Sequence, residues 1–158
     1  MMKVPTAILA AALAAGAAWA QRPALQHYPV DDSAAAAVRS PGSAPPFSAA
    51  VRAGDMLYLS GSIGGLPDGT LPEGIEAQTR QVMENIRRVL TGAGASFDDV
   101  VRCLVMLDNM ADWPAFNRVY VTYFNPERRP ARSAFGADGL ARGALVEVEC
   151  TAYVPERR

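Results

Sequence analysis

Near the C-terminus, Val146, Val148, Cys150 and Ala152 alternate with Glu147, Glu149, Thr151 and Tyr153. A period of two belongs to a β-strand, whose successive side chains point to opposite sides. A helix would repeat its apolar positions every three or four residues. This strand therefore needs an apolar cover on one side and leaves a different, mostly polar side open. A sheet face that is neither clearly polar nor clearly apolar often belongs to an oligomer interface. The expectation is subunits packed sheet to sheet; a solvated sheet in a monomer is the plainer alternative.

The rest of the chain supplies the partners of that strand. Phe47–Arg52 and Met56–Ser60 read as a hairpin joined at Ala53-Gly54-Asp55. Gly61 to Gly69 reads as a loop. From about Gly74 to Thr91 the period turns helical, with Ile75, Val82, Ile86, Val89 and Leu90 on one face and Gly92 and Gly94 as the stop. Ser96 is a cap for a short turn, and Val100–Leu107 is a buried strand. A second helix starts at Asp112 as N-cap with Pro114 in its first turn, and ends at Asn125-Pro126. Strands over Ala131–Phe135 and Ala144–Val154 follow. The order β-β-α-β-α-β-β predicts an α+β domain, one sheet with both helices on one face.

The N-terminus reads as an address. Lys3 precedes the alanine-rich run Ala7–Ala17, and Ala18-Trp19-Ala20 fits a signal-peptidase site, so the mature chain is expected to begin at Gln21. The run is too short for a confident membrane span. The expected organisation is a signal peptide over residues 1–20, a tail over 21–44 and one domain over 45–158, in a protein that is periplasmic or secreted.

Composition then excludes chemistry. Lys3 is the only lysine, so the mature chain carries fourteen arginines against sixteen acids, a net charge of −2. That balance suits neither nucleic acid nor an anionic membrane. Without lysine there is no Schiff base and no phosphate-loop lysine. The single histidine, His27, lies in the expected tail, which argues against a Ser-His-Asp triad or a histidine metal site. Cys103 and Cys150 sit in apolar runs and read equally as a disulfide or as two buried thiols.

Arginine, carboxylates, hydroxyls and backbone amides remain. Arg132, at a strand start after Pro130-Ala131, offers a planar fork suited to a carboxylate. Pairing with Glu147 or Glu149, or plain solvation, is the ordinary duty of such an arginine. Glu147, if partly withdrawn from water, would have a raised pKa and could activate water. Ser60-Gly61 follows an apolar strand and could line a pocket. Asn117 interrupts a helix in which asparagine is a poor former, which hints at a hydrogen-bonding duty. Phe47 could wall a pocket or belong to the core.

Taken in order, Leu59-Ser60-Gly61, Glu76-Ala77-Gln78-Thr79-Arg80-Gln81, Ala93-Gly94-Ala95, Asn117 with Tyr120, Pro130-Ala131-Arg132-Ser133 and Val146-Glu147-Val148-Glu149 resemble the Rid (YjgF/RidA-like) family, over about residues 46–154. The resemblance implies a chorismate-mutase-like α+β fold with one mixed sheet. It also implies a trimer with inward-facing sheets and a ligand cleft at each subunit interface. Its implied activity is hydrolysis of enamines and imines, such as 2-aminoacrylate, to 2-keto acids and ammonia, with no metal or organic cofactor. It gives Arg132 the substrate carboxylate, Glu147 the attacking water, and Ser60, Gly61, Asn117 and Phe47 the pocket. The partner is then a small 2-imino acid, not nucleic acid or membrane. Phe47 replaces a usual pocket tyrosine, Ala134 a frequent cysteine and Ser62 a frequent glutamine. The rival expectation is a non-catalytic, small-carboxylate-binding or holdase-type trimer.

Overall fold

A computed structural model describes residues 25–30 and 45–155. The expected signal peptide and most of the expected tail lie outside these residues. Among the described residues, seven strands form one sheet: β1 (Gln26–Tyr28), β2 (Ala50–Ala53), β3 (Met56–Leu59), β4 (Ser62–Ile63), β5 (Val100–Leu107), β6 (Ala131–Gly136) and β7 (Val146–Tyr153). Their lateral order is β1-β2-β3-β7-β5-β6, and β4 adds to β7 beside β3. All pairs are antiparallel except β5 with β6, so the sheet is mixed as expected. Of the described residues, two α-helices, α1 (Ile75–Gly92) and α2 (Trp113–Tyr120), cover one face.

The period of two in β7 sets the layer structure. Val146, Val148, Cys150 and Ala152 are fully buried, and Val82, Met83, Ile86 and Leu90 of α1 share their core. Burying each of the larger side chains is worth about 1.5–3 kcal/mol, which holds α1 to the sheet. The helix stops where Gly94 takes a left-handed φ of 73°, letting Ala95 N–H reach back to the Leu90 carbonyl at 2.8 Å. Ser96 then caps a short turn: its hydroxyl accepts from Asp98 N–H, and Asp99 accepts from Ser96 N–H.

Three expectations are corrected. Gln26–Tyr28, placed in a tail, forms strand β1 along the outer edge of β2, so His27 lies in a strand; its Nδ1 is 3.2 Å from Ser48 Oγ. Three residues carry no readable period, and only the free edge of β2 selects them. Phe47 precedes the strand, which begins at Ala50, and it stays 44% exposed. The second helix ends at Tyr120 and tightens into a 3-10 turn over Val121–Tyr123, while Asp112 makes no side-chain cap. The side-chain cap belongs one turn earlier, where Asn109 accepts from Ala111 N–H.

Cys103 and Cys150 are register partners on β5 and β7, and they form a disulfide across Cα atoms 4.1 Å apart. Both are buried.

Candidate active site

Glu147 lies in the middle of the sheet, paired with Ile63 on β4 and Met106 on β5. It points to the open face, opposite Val146 and Val148. There it lines a cleft of about 370 Å³ with Phe47, Ser60, Gly61, Ile63 and Asn85. The carboxylate passes so close to Gly61 that a Cβ on that residue would stand 2.0 Å from Glu147 Oε1. Glycine is therefore required here for a close approach, not for a turn. Partial burial raises the Glu147 pKa, and the like charge of Glu149 raises it further. A carboxylate in this state is a better base than an ordinary one.

The cleft wall is fixed by hydrogen bonds. Ser60 Oγ donates to the Ser48 carbonyl at 2.7 Å, which leaves its lone pairs as acceptors. Asn85, on α1, donates to the carbonyls of Ile63 and Gly65, both at 3.0 Å, and so ties the loop after β4 to the helix.

Arg132 occupies a different place. Its register partner on β5 is Cys103, so its side chain leaves the sheet on the helix side. The guanidinium lies 4.7 Å from the ring centres of Trp113 and Tyr120 and 5.7 Å from that of Phe116. Such contacts are worth about 0.5–2 kcal/mol each when partly desolvated. Nη1 donates to Asn117 Oδ1 at 2.8 Å. Arg132 therefore pairs with α2, not with Glu147 or Glu149, and one hydrogen bond uses only one of its five N–H groups. Beside it, burial pushes the Tyr120 phenol up to about 12 despite the opposing pull of Arg132. Its hydroxyl is buried with no hydrogen-bond partner among the described residues.

The expected site residues thus fall into two groups. Phe47, Ser60, Gly61 and Glu147 meet in one cleft; Arg132 and Asn117 meet on the other face. Arg132 sits on β6 and Glu147 on β7, with β5 between them. Two strand spacings of about 4.8 Å, plus the thickness of the sheet, separate them. No small substrate spans that distance within one chain. Among the described residues, no three His, Cys, Asp or Glu side chains gather to hold a metal.

Sequence reasoning missed Asn85, although the signal that singled out Asn117, asparagine inside a helix, applies to it equally. It also missed Trp113 as part of the arginine cage. Ile63 offered no signal, because only the fold brings it beside Glu147.

A family model described as endoribonuclease L-PSP matches residues 37–154. Reactive Intermediate Deaminase A, chloroplastic, of Arabidopsis thaliana is 35% identical over 116 residues, 72% of this chain and 62% of that protein. The 2-iminobutanoate/2-iminopropanoate deaminase of Mus musculus is 34% identical over 116 residues, 72% of this chain and 85% of that protein. The crystal structure of the Rid-family protein YyfA from Yersinia pestis aligns with a TM-score of 0.71 at 37% identity, covering 83% of this chain and 100% of that one. On the extent of these matches, the chain belongs to the endoribonuclease L-PSP family, the family of the Rid (YjgF/RidA-like) proteins.

Proposed function

We propose that the chain is a hydrolytic deaminase of reactive 2-imino and enamine acids, working in sites built between copies of itself. The observation that carries this reading is Glu147: a half-buried carboxylate of raised basicity, at the floor of an open cleft with space for water and substrate. The names of the Arabidopsis and mouse relatives support the same chemistry.

Arg132 of one copy holds the substrate carboxylate through the N–H groups that Asn117 leaves free. Glu147 of a neighbouring copy takes a proton from water as the water oxygen bonds to the imine carbon. Glu147 passes that proton to the nitrogen of the tetrahedral intermediate. It then takes the proton of the new hydroxyl and hands it to the same nitrogen, so that the carbonyl forms as the C–N bond breaks and ammonia leaves. Proton transfer of this kind contributes about 10²–10⁴-fold in rate. The acidic pair Glu147 and Glu149 would repel a phosphodiester, so the ribonuclease reading that the family model's name invites has no support in this cleft.

A homotrimer with its open sheet faces inward would bring the half-sites together. Tyr58, Phe135 and Tyr153, each about half exposed on that face, support such packing. Export fits the alanine-rich residues 1–20 and the Cys103–Cys150 disulfide, since such bonds persist in oxidising compartments.

The test uses residues 21–158 with imino acids generated by an amino-acid oxidase and followed by semicarbazide trapping. Accelerated loss of the imine by the natural sequence, abolished in Arg132→Ala, is the expected result. No acceleration for any of several side chains would leave a binding or holdase role instead.

A further inference from the structure

The cleft beside Glu147 is larger and more apolar than a three-carbon imino acid requires. Its 370 Å³ would hold roughly a dozen waters at about 30 Å³ each. Apart from Glu147 its polar side chains are Ser60, Ser62 and Asn85, and Ser60 and Asn85 are already engaged. Ser60 gives its proton to the Ser48 carbonyl, and the Asn85 amide gives both of its N–H groups to Ile63 and Gly65. The apolar part of the lining is Phe47, Ile63, Val30 at the end of the β1 segment, and Ala141. Phe47 carries no hydroxyl and remains 44% exposed, so it adds accessible apolar surface to the cleft that Glu147 also lines.

From this we infer that the cleft takes the side chain of the substrate, and that the preferred substrates are 2-imino acids with bulky apolar side chains, branched aliphatic or aromatic. The inference rests on the deaminase reading of Glu147 and Arg132. With those two groups holding the reacting end, the side chain at the next carbon has only the Phe47–Ile63–Val30 wall to enter. A methyl group would leave water against that wall. A branched or aromatic side chain would displace it, and each methylene removed from water in such a pocket discriminates by about 10–200-fold.

Two measurements on the assembled protein, residues 21–158, separate this inference from the reading beneath it. The first is calorimetric binding of the product-like keto acids pyruvate, 4-methyl-2-oxopentanoate and phenylpyruvate, which needs no catalysis. The second is hydrolysis of the imines made from alanine, leucine and phenylalanine. The expected result is binding about 10-fold or more tighter for the two bulky keto acids than for pyruvate, with the same order in kcat/KM. Phe47→Asn, at a half-exposed position, should shrink that ratio. Equal affinity for all three keto acids, or pyruvate bound most tightly, overturns the inference even if every imine is hydrolysed. The bulky preference in binding with no hydrolysis upholds the side-chain pocket and defeats the deaminase reading. No binding of any keto acid together with no hydrolysis overturns both.

Discussion

In the proposed mechanism Glu147 must be ionised to take a proton from water, so its raised pKa predicts an acid limb of the activity profile above that of an ordinary carboxylate. Activity should fall as pH drops through that limb. Because Glu149 contributes to the rise, Glu149→Gln should move the limb to lower pH, measured as kcat/KM against pH. An unmoved limb would mean that another group titrates. Gly61 acts at the same scale. In Gly61→Ala the new methyl would overlap the Glu147 carboxylate, the movable end of a side chain, so the fold should survive while the base is displaced. A misplacement of about 1 Å can cost on the order of 10²-fold in rate. The expected outcome is a large loss of kcat with an unchanged melting temperature.

At the scale of elements, β5 is the strand on which everything else is registered. It runs antiparallel to β7 and parallel to β6, and so fixes where Glu147 and Arg132 emerge. The Cys103–Cys150 bond ties β5 to β7 across 47 residues of chain. Closing a loop of that length removes about 3–4 kcal/mol of freedom from the unfolded chain. The Cys103→Ala/Cys150→Ala double variant should lose stability of that order in urea unfolding under non-reducing conditions. A change below about 1 kcal/mol would mean that the bond is absent from the protein as produced. Helix α2 has a comparable duty towards Arg132. Trp113, Phe116, Asn117 and Tyr120 lie three or four residues apart or next to one another, so a single helical face both cages the guanidinium and orients it.

For the whole molecule, the placement of Arg132 and Glu147 on opposite faces makes a clear demand on assembly. If one reaction uses both, two copies must supply them. Arg132→Ala and Glu147→Gln should each be nearly inactive alone, the latter by about 10²–10⁴-fold. Mixed, co-refolded oligomers of the two should regain activity, because some interfaces combine an intact Arg132 with an intact Glu147. Random mixing in a closed ring restores about a quarter of the sites. Recovery near that level in the semicarbazide assay supports interface sites; no recovery would mean that both residues act within one chain.

Much of this was legible in the chain alone, and the limits have a physical pattern. Hydrophobic period is a local property, so the covered and open faces of β7, the apolar stripe of α1 and the long strand β5 could be read directly. Residue chemistry is local too, and Arg132, Glu147, Ser60 and Asn117 stood out by type and position. Strand neighbours and register are not local. The sequence Ala131–Gly136 shows no alternation, so nothing in it says that Arg132 faces the helices; only pairing with Cys103 decides that. The same pairing logic joins Cys103 to Cys150, recruits Gln26–Tyr28 to the edge of β2, and sets Gly61 against Glu147. The sequence by itself determined which residues could do chemistry and which surfaces had to be buried. The tertiary structure alone decided which of them meet, because contacts between distant segments depend on how the sheet closes and not on any period along the chain.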